Sequence, residues 1–95
     1  MSGGHFEYAQ YKIEDIASSI DELIKTNESK DIDSFGYEIG RNYPSDIIEK
    51  FDEARKTLRL AAAMTQRIDW LVSDDDGEDS FRERWIDDVD SLRKI

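Results

Sequence analysis

"SDIIEKFDEARKTLRLAAAMTQRIDWLVS", residues 45–73, decides the fold of this chain. Ile47, Phe51, Ala54, Leu58, Ala61, Thr65, Ile68 and Val72 recur at alternating threes and fours, the period of one face of an α-helix. Ser45 is placed to cap the start, and Asp46 and Glu49 follow near the positive end of the helix dipole. A helix of about 27 residues spans roughly 40 Å, which is long for so small a chain. The consecutive alanines Ala61, Ala62 and Ala63 let a second helix approach closely. The seam therefore predicts either a central helix on which the rest of the chain packs, or a surface that joins two copies.

Upstream, "YKIEDIASSIDELIKT" (11–26) places Ile13, Ile16, Ala17, Ile20, Leu23 and Ile24 on one helical stripe, with Glu14, Asp15, Asp21 and Glu22 off it. Between the two helices, Ile32, Phe35 and Ile39 have helical spacing, so a short helix is expected over 31–39, with Gly40 as its terminating glycine. Pro44 closes that segment, because a proline is not accommodated inside a helix. Downstream, Ser80 and Glu83 fit a capping box for a last helix, on which Phe81, Trp85, Val89 and Leu92 follow at spacings of four, four and three. Gly77 is expected to supply the positive φ of the tight turn before it. Trp70 and Trp85, on either side of that turn, are expected to pack together.

The expected fold is all-α. It is a single helical domain over residues 1–95, a small bundle of three main helices with a long central helix and a C-terminal helical hairpin, and residues 1–7 are expected to be mobile.

The chain has no cysteine, which removes disulfides, thiol nucleophiles and thiolate metal sites. No apolar run is long enough to span a membrane, and the first ten residues lack the pattern of an export signal, so a soluble intracellular protein is expected. The net charge is −10, which disfavours nucleic acid as a direct ligand and an anionic membrane as a docking surface. The charge is also uneven. Residues 69–90 hold ten acids against two arginines, whereas residues 54–68 hold Arg55, Lys56, Arg59 and Arg67 and no acid.

The densest acids are in "SDDDGEDS", residues 73–80, where five of the six residues from 74 to 79 are carboxylates. Placing Gly77 at the sixth position of a calcium loop puts Asp74, Asp76 and Glu83 at liganding positions, but Val72 then falls where the first carboxylate is required. Turn chemistry explains one or two acids, since short polar side chains bond nearby backbone groups. It does not explain five. The candidate protein-binding residues are therefore Asp74, Asp75, Asp76, Glu78 and Asp79, with Asp87, Asp88 and Asp90 extending the face along the last helix. Catalysis has little material to work with. His5 is the only histidine, and the pairs Glu49 with Glu53 and Glu83 with Asp87 fall on faces rich in other charge, as ordinary solvated helix surfaces do. No acid interrupts an apolar stripe, and Asp69, beside Ile68 and Trp70, comes nearest to doing so. No cofactor is expected. Phe6, Tyr8 and Tyr11 are expected to pack in the core, with an exposed contact patch as the alternative for the tyrosines.

"RIDWLVSDDDGEDSF" (67–81), together with "HFEYAQYKIEDIASSIDELI" (5–24), resembles small acidic proteins encoded by bacteriophages and prophages. The resemblance covers about half of the chain and carries no catalytic residues. It implies a host bacterial cytoplasm as the setting. The expected function is then a non-enzymatic binding protein whose acidic surface engages a basic site on a host protein, for instance a nucleic-acid-binding or defence enzyme that it inhibits. One alternative is a homodimeric structural or assembly adaptor joined through the long helix. Another is a Mg²⁺-dependent nucleotide phosphohydrolase built on Glu49 and Glu53.

Overall fold

The computed structural model describes residues 5–94, and all residue-level statements below concern these. Three helices account for the regular structure: α1 (Ala9–Lys25), α2 (Ser45–Val72) and α3 (Glu78–Trp85). The chain runs on from α3 through a π-helical turn, Ile86–Asp90, and a last α turn, Ser91–Arg93, to form one C-terminal helix. The fold is all-α, with α2 as its long centre.

α1 runs antiparallel to α2. Gln10 at the start of α1 bonds Gln66 and Asp69 near the end of α2, while Asp21 meets Arg55 a few turns earlier on α2. The small side chains of Ala17 and Ala62 are buried on these facing rows. The C-terminal helix packs on another side of α2, where Arg67 meets Asp88, and Leu60 lies beside Leu92. At about 100° per residue, Leu60, Ala61 and Ala62 therefore point towards the C-terminal helix, out of the layer, and towards α1. The three helices lie side by side. The chain is a slab of 52 × 30 × 14 Å with a radius of gyration of 17.3 Å, against about 12 Å for a compact domain of this length.

This arrangement changes which residues form the core. The α2 seam read from the sequence is not its most buried row: Ile47, Ala54, Ile68 and Val72 are exposed, and Leu58, Ala61 and Thr65 are only half-buried. The buried α2 positions are Ala62, Arg67 and Asp69. Val89 is fully buried and anchors the C-terminal helix, and its π-helical turn carries an Ser91 hydroxyl bond back to the Ile86 carbonyl.

Several local expectations are corrected. Residues 31–39 form a tight antiparallel turn, not a helix, with a bridge between Ile32 and Glu38. The Asp33 carboxylate accepts from the backbone N–H groups of Phe35 and Tyr37, and Gly36 takes φ 88°. An aspartate that bonds the backbone ahead of it competes with helix formation, and here it wins. Gly40 terminates no helix. It lets the chain pass close to Ser29, where a Cβ would lie 2.5 Å from the carbonyl oxygen. Asn27 pins that approach with a reciprocal pair of bonds to the Tyr43 backbone. Pro44, not Ser45, is the N-cap of α2, and no side chain caps it. Likewise α3 begins at Glu78, before Ser80, and the capping box does not form. No described helix is long and apolar enough to cross a membrane.

Candidate protein-binding surface

The α2–α3 turn is wound by backbone bonds. The N–H groups of Asp75 and Asp76 both reach the Trp70 carbonyl, at 2.9 and 3.1 Å, and Asp74 N–H reaches that of Leu71. The positive φ of this turn falls on Asp74, at 63°, whereas Gly77 is extended at φ −100°. An aspartate tolerates the left-handed region better than most side-chain-bearing residues, so the turn closes without needing glycine there.

The eight candidate acids separate into distinct groups. Asp76 is withdrawn from the surface: its side chain is 2% exposed, and its carboxylate lies 3.8 Å from both Arg67 and Arg84. Its place among partner-contacting residues is therefore corrected to that of an internal counter-ion. Asp88 stays half exposed while it meets the Arg67 guanidinium at 3.3 Å. Glu78 and Asp79 flank Arg82, and Asp90 lies near Arg93, all as exposed or partly exposed pairs worth little in water. Asp74, Asp75 and Asp87 are exposed and form no ion pair with any described residue. Of the basic stretch 54–68, only Arg67 turns to the acidic end. Arg55 and Lys56 instead join Asp21, Asp52 and Lys25 in a lattice between α1 and α2, with Lys25 to Asp21 at 3.1 Å and Arg55 to Asp21 at 2.6 Å. Lys25 and then Arg55 hold the Asp21 carboxyl below its usual range, and Lys56, then Arg55, do so for Asp52 against the opposing pull of burial.

Arg67 is the hinge of the acidic end. It is 3% exposed and lies 4.0 Å above the Trp70 ring, a cation–π contact that partly replaces the water it has lost. The two tryptophans do not pack together. Trp70 lines a groove with Gln10, Tyr11 and Ala63, whereas Trp85 stacks near Phe81, with ring centres 5.5 Å apart, and faces Ile68 on the other side of the layer. Tyr8 and Tyr11 are half exposed, with ring centres 5.9 Å apart, so they are not core residues.

Sequence reasoning passed over one built feature. Asp69 is 1% exposed and accepts from the Gln10 amide, the His5 and Phe6 backbone and the Ser73 hydroxyl. Burial pushes this carboxyl up, but those donors outweigh it and hold it below the ordinary carboxylate range. The signal was an acid between Ile68 and Trp70, near the C-terminal end of a helix, where the dipole disfavours it. His5 and Phe6 are thereby tied to α2, while residues 1–4 of the segment expected to be mobile lie outside the described residues.

Among the described residues, no three acids or histidines converge as ligands would. Glu49, Glu53, Glu83 and Asp87 are all exposed. Comparison with protein-family models, with curated proteins and with solved structures finds no match to this chain.

Proposed function

We propose that this protein is a non-enzymatic binding module whose acidic end docks on a basic surface of another protein. The observation that supports it is the charge left after internal pairing. Residues 74–90 hold nine acids against Arg82 and Arg84, and Arg67 is the single cation that α2 contributes to them. Asp74, Asp75 and Asp87 are exposed and pair with no cation among the described residues. Such a cluster costs self-repulsion, steers a basic partner during encounter, and repels nucleic acid. A partner that itself binds phosphates fits this surface best, because the same basic groove would be occupied. On this reading the protein is phage-encoded, works in the bacterial host cytoplasm and competes with nucleic acid for a host enzyme, in keeping with the family resemblance.

The test is a tagged pull-down at low and moderate salt, comparing wild type with a variant neutralised at Asp74, Asp75, Glu78, Asp79 and Asp87. Asp76 and Asp88 are left intact, because Arg67 needs them. The expected result is a basic host protein retained by wild type alone, released as salt rises, and displaced by added nucleic acid. Equal retention by both forms overturns the proposal.

A further inference from the structure

One flank of the slab carries an apolar row on α2 and another on α1, with charged residues only at its two edges. On α2 it carries Ala61, Ile68 and Val72, the last two 38% and 48% exposed. On α1 it carries Ile16, 53% exposed, and Leu23. The side assignment follows from the opposite groove, where Tyr11 and Glu14 of α1 meet Ala63, Gln66 and Trp70 of α2. Ile16 and Leu23 are turned away from Tyr11 and Glu14 on α1, as Ala61 and Ile68 are from Ala63 and Trp70 on α2. At the far edge, Ile68 joins Phe81, Trp85 and Arg82, the last paired with Glu78 and Asp79, in an open groove of about 400 Å³. Glu14, Asp15 and Asp21 of α1 fall away from this flank, whereas Leu23 marks its α1 edge, in a pocket shared with Glu22, Asp33 and Glu38. The ion-pair lattice of Asp21, Arg55, Asp52 and Lys56 occupies the other one.

We infer that this flank is the interface of a homodimer, with α2 crossing its own copy about a two-fold axis near Ala61. Three quantities favour a second copy of this chain over another occupant. The chain exposes 6927 Å², whereas a folded monomer of 11.1 kDa exposes about 5,700 Å². The surplus of roughly 1,200 Å² belongs to the whole chain, and it leaves room for the ~800 Å² that each partner of a standard interface hides. A single layer of helices also lacks the second layer that ordinarily covers an apolar face, and an identical slab supplies it. Finally, a chain of charge −10 meets its own copy most readily where carboxylates are absent, and the α2 row of Ala54, Leu58, Ala61, Thr65, Ile68 and Val72 along the middle of this flank contains none. Ala61, with Ala54 and Thr65 beside it on the seam, lets the two α2 helices approach to about 8–10 Å.

This inference is independent of the acidic docking reading and responds to salt in the opposite sense. Screening weakens docking to a basic partner, but it strengthens association of two copies that repel each other. The experiment is sedimentation equilibrium at high micromolar concentration and two salt levels, on wild type, Ala61→Glu and Ser18→Glu. Ser18 adds the same charge on the other side of α1. Wild type and Ser18→Glu are expected at twice the chain mass, more fully so at higher salt, and Ala61→Glu at the single-chain mass with its helical circular dichroism kept. A wild type at single-chain mass throughout overturns the inference, as does an Ala61→Glu variant that stays dimeric. Should Ala61→Glu lose its helices, oxidative cross-linking decides, since the chain has no native cysteine. Ala61→Cys is then expected to form a disulfide-linked dimer and Ser18→Cys is not. No cross-link at 61, or equal cross-linking at both positions, overturns the inference.

Discussion

The side-chain amide of Gln10 donates to the carboxylate of Asp69 at 2.9 Å, with both residues buried, and so joins the first turn of α1 to the last turns of α2. Gln10 also donates to Gln66 at 2.6 Å, and the backbone leading into α1 adds its N–H groups to Asp69. The antiparallel helix pair is thus latched at one end by a polar cluster and at the other by Asn27 and Tyr43.

Replacing Asp69 with Asn removes the charge and turns one acceptor into a donor facing other donors. We expect a loss of about 1–3 kcal/mol, since each buried group left unpaired carries its desolvation cost. Urea denaturation followed by circular dichroism measures this. An unchanged midpoint would show that the cluster is incidental to stability.

The pH dependence follows from the same carboxyl. Its folded pKa is lowered, so the unfolded chain takes up a proton first as pH falls. The stabilisation is therefore complete above the unfolded carboxylate value of about 4 and is lost as pH drops through the lower folded value. The stability gap between wild type and Asp69→Asn is expected to stay constant from about pH 7 to about pH 5 and to shrink only below about pH 4. A gap that closes between neutral pH and pH 5 contradicts this sign.

Arg67→Met leaves the buried Asp76 carboxylate with only Arg84 near it. Breaking a buried pair from one side costs about 3–5 kcal/mol. The double variant Arg67→Met with Asp76→Asn should recover part of that loss, and the coupling in the double-mutant cycle is the quantity to measure. Additive effects would mean that the two side chains do not act as a pair.

Two glycines should respond differently to alanine. Gly40→Ala drives a Cβ to 2.5 Å from the Ser29 carbonyl oxygen and to 2.6 Å from its nitrogen. Backbone cannot yield as a flexible side chain does, so about 1–3 kcal/mol is expected to be lost. Gly77→Ala meets nothing nearer than the Ser80 hydroxyl at 4.0 Å, from an ordinary extended φ. Gly77 is the N-cap of α3, where Ala serves less well than Gly, so its cost should be about 0.5–1 kcal/mol, below that of Gly40→Ala. Thermal melts of the two variants side by side make the comparison, and equal losses would refute the close-approach reading of Gly40.

Periodicity by itself determined where the two longest helices are, though the same spacing at Ile32, Phe35 and Ile39 marked a turn. The threes and fours of residues 45–73 lead to α2 at Ser45–Val72, and the Ile-rich stripe after Tyr11 leads to α1, because a 3.6-residue repeat requires no partner to be legible. Composition likewise determined the acidic end, since charge is additive along the chain. Which helix face becomes buried was decided only in three dimensions. Ala61 and Ala62 are equally small and adjacent, yet Ala62 is buried and Ala61 faces outward, because α1 and the C-terminal helix take the rows on either side of Ala61. The same packing buries Arg67 and Asp69, whose partners lie far away in sequence or across the turn, and withdraws Asp76 from an otherwise solvated run of acids. An apolar stripe records that a surface prefers to be covered. What covers it depends on how neighbouring helices fit, and that is a property of the whole fold.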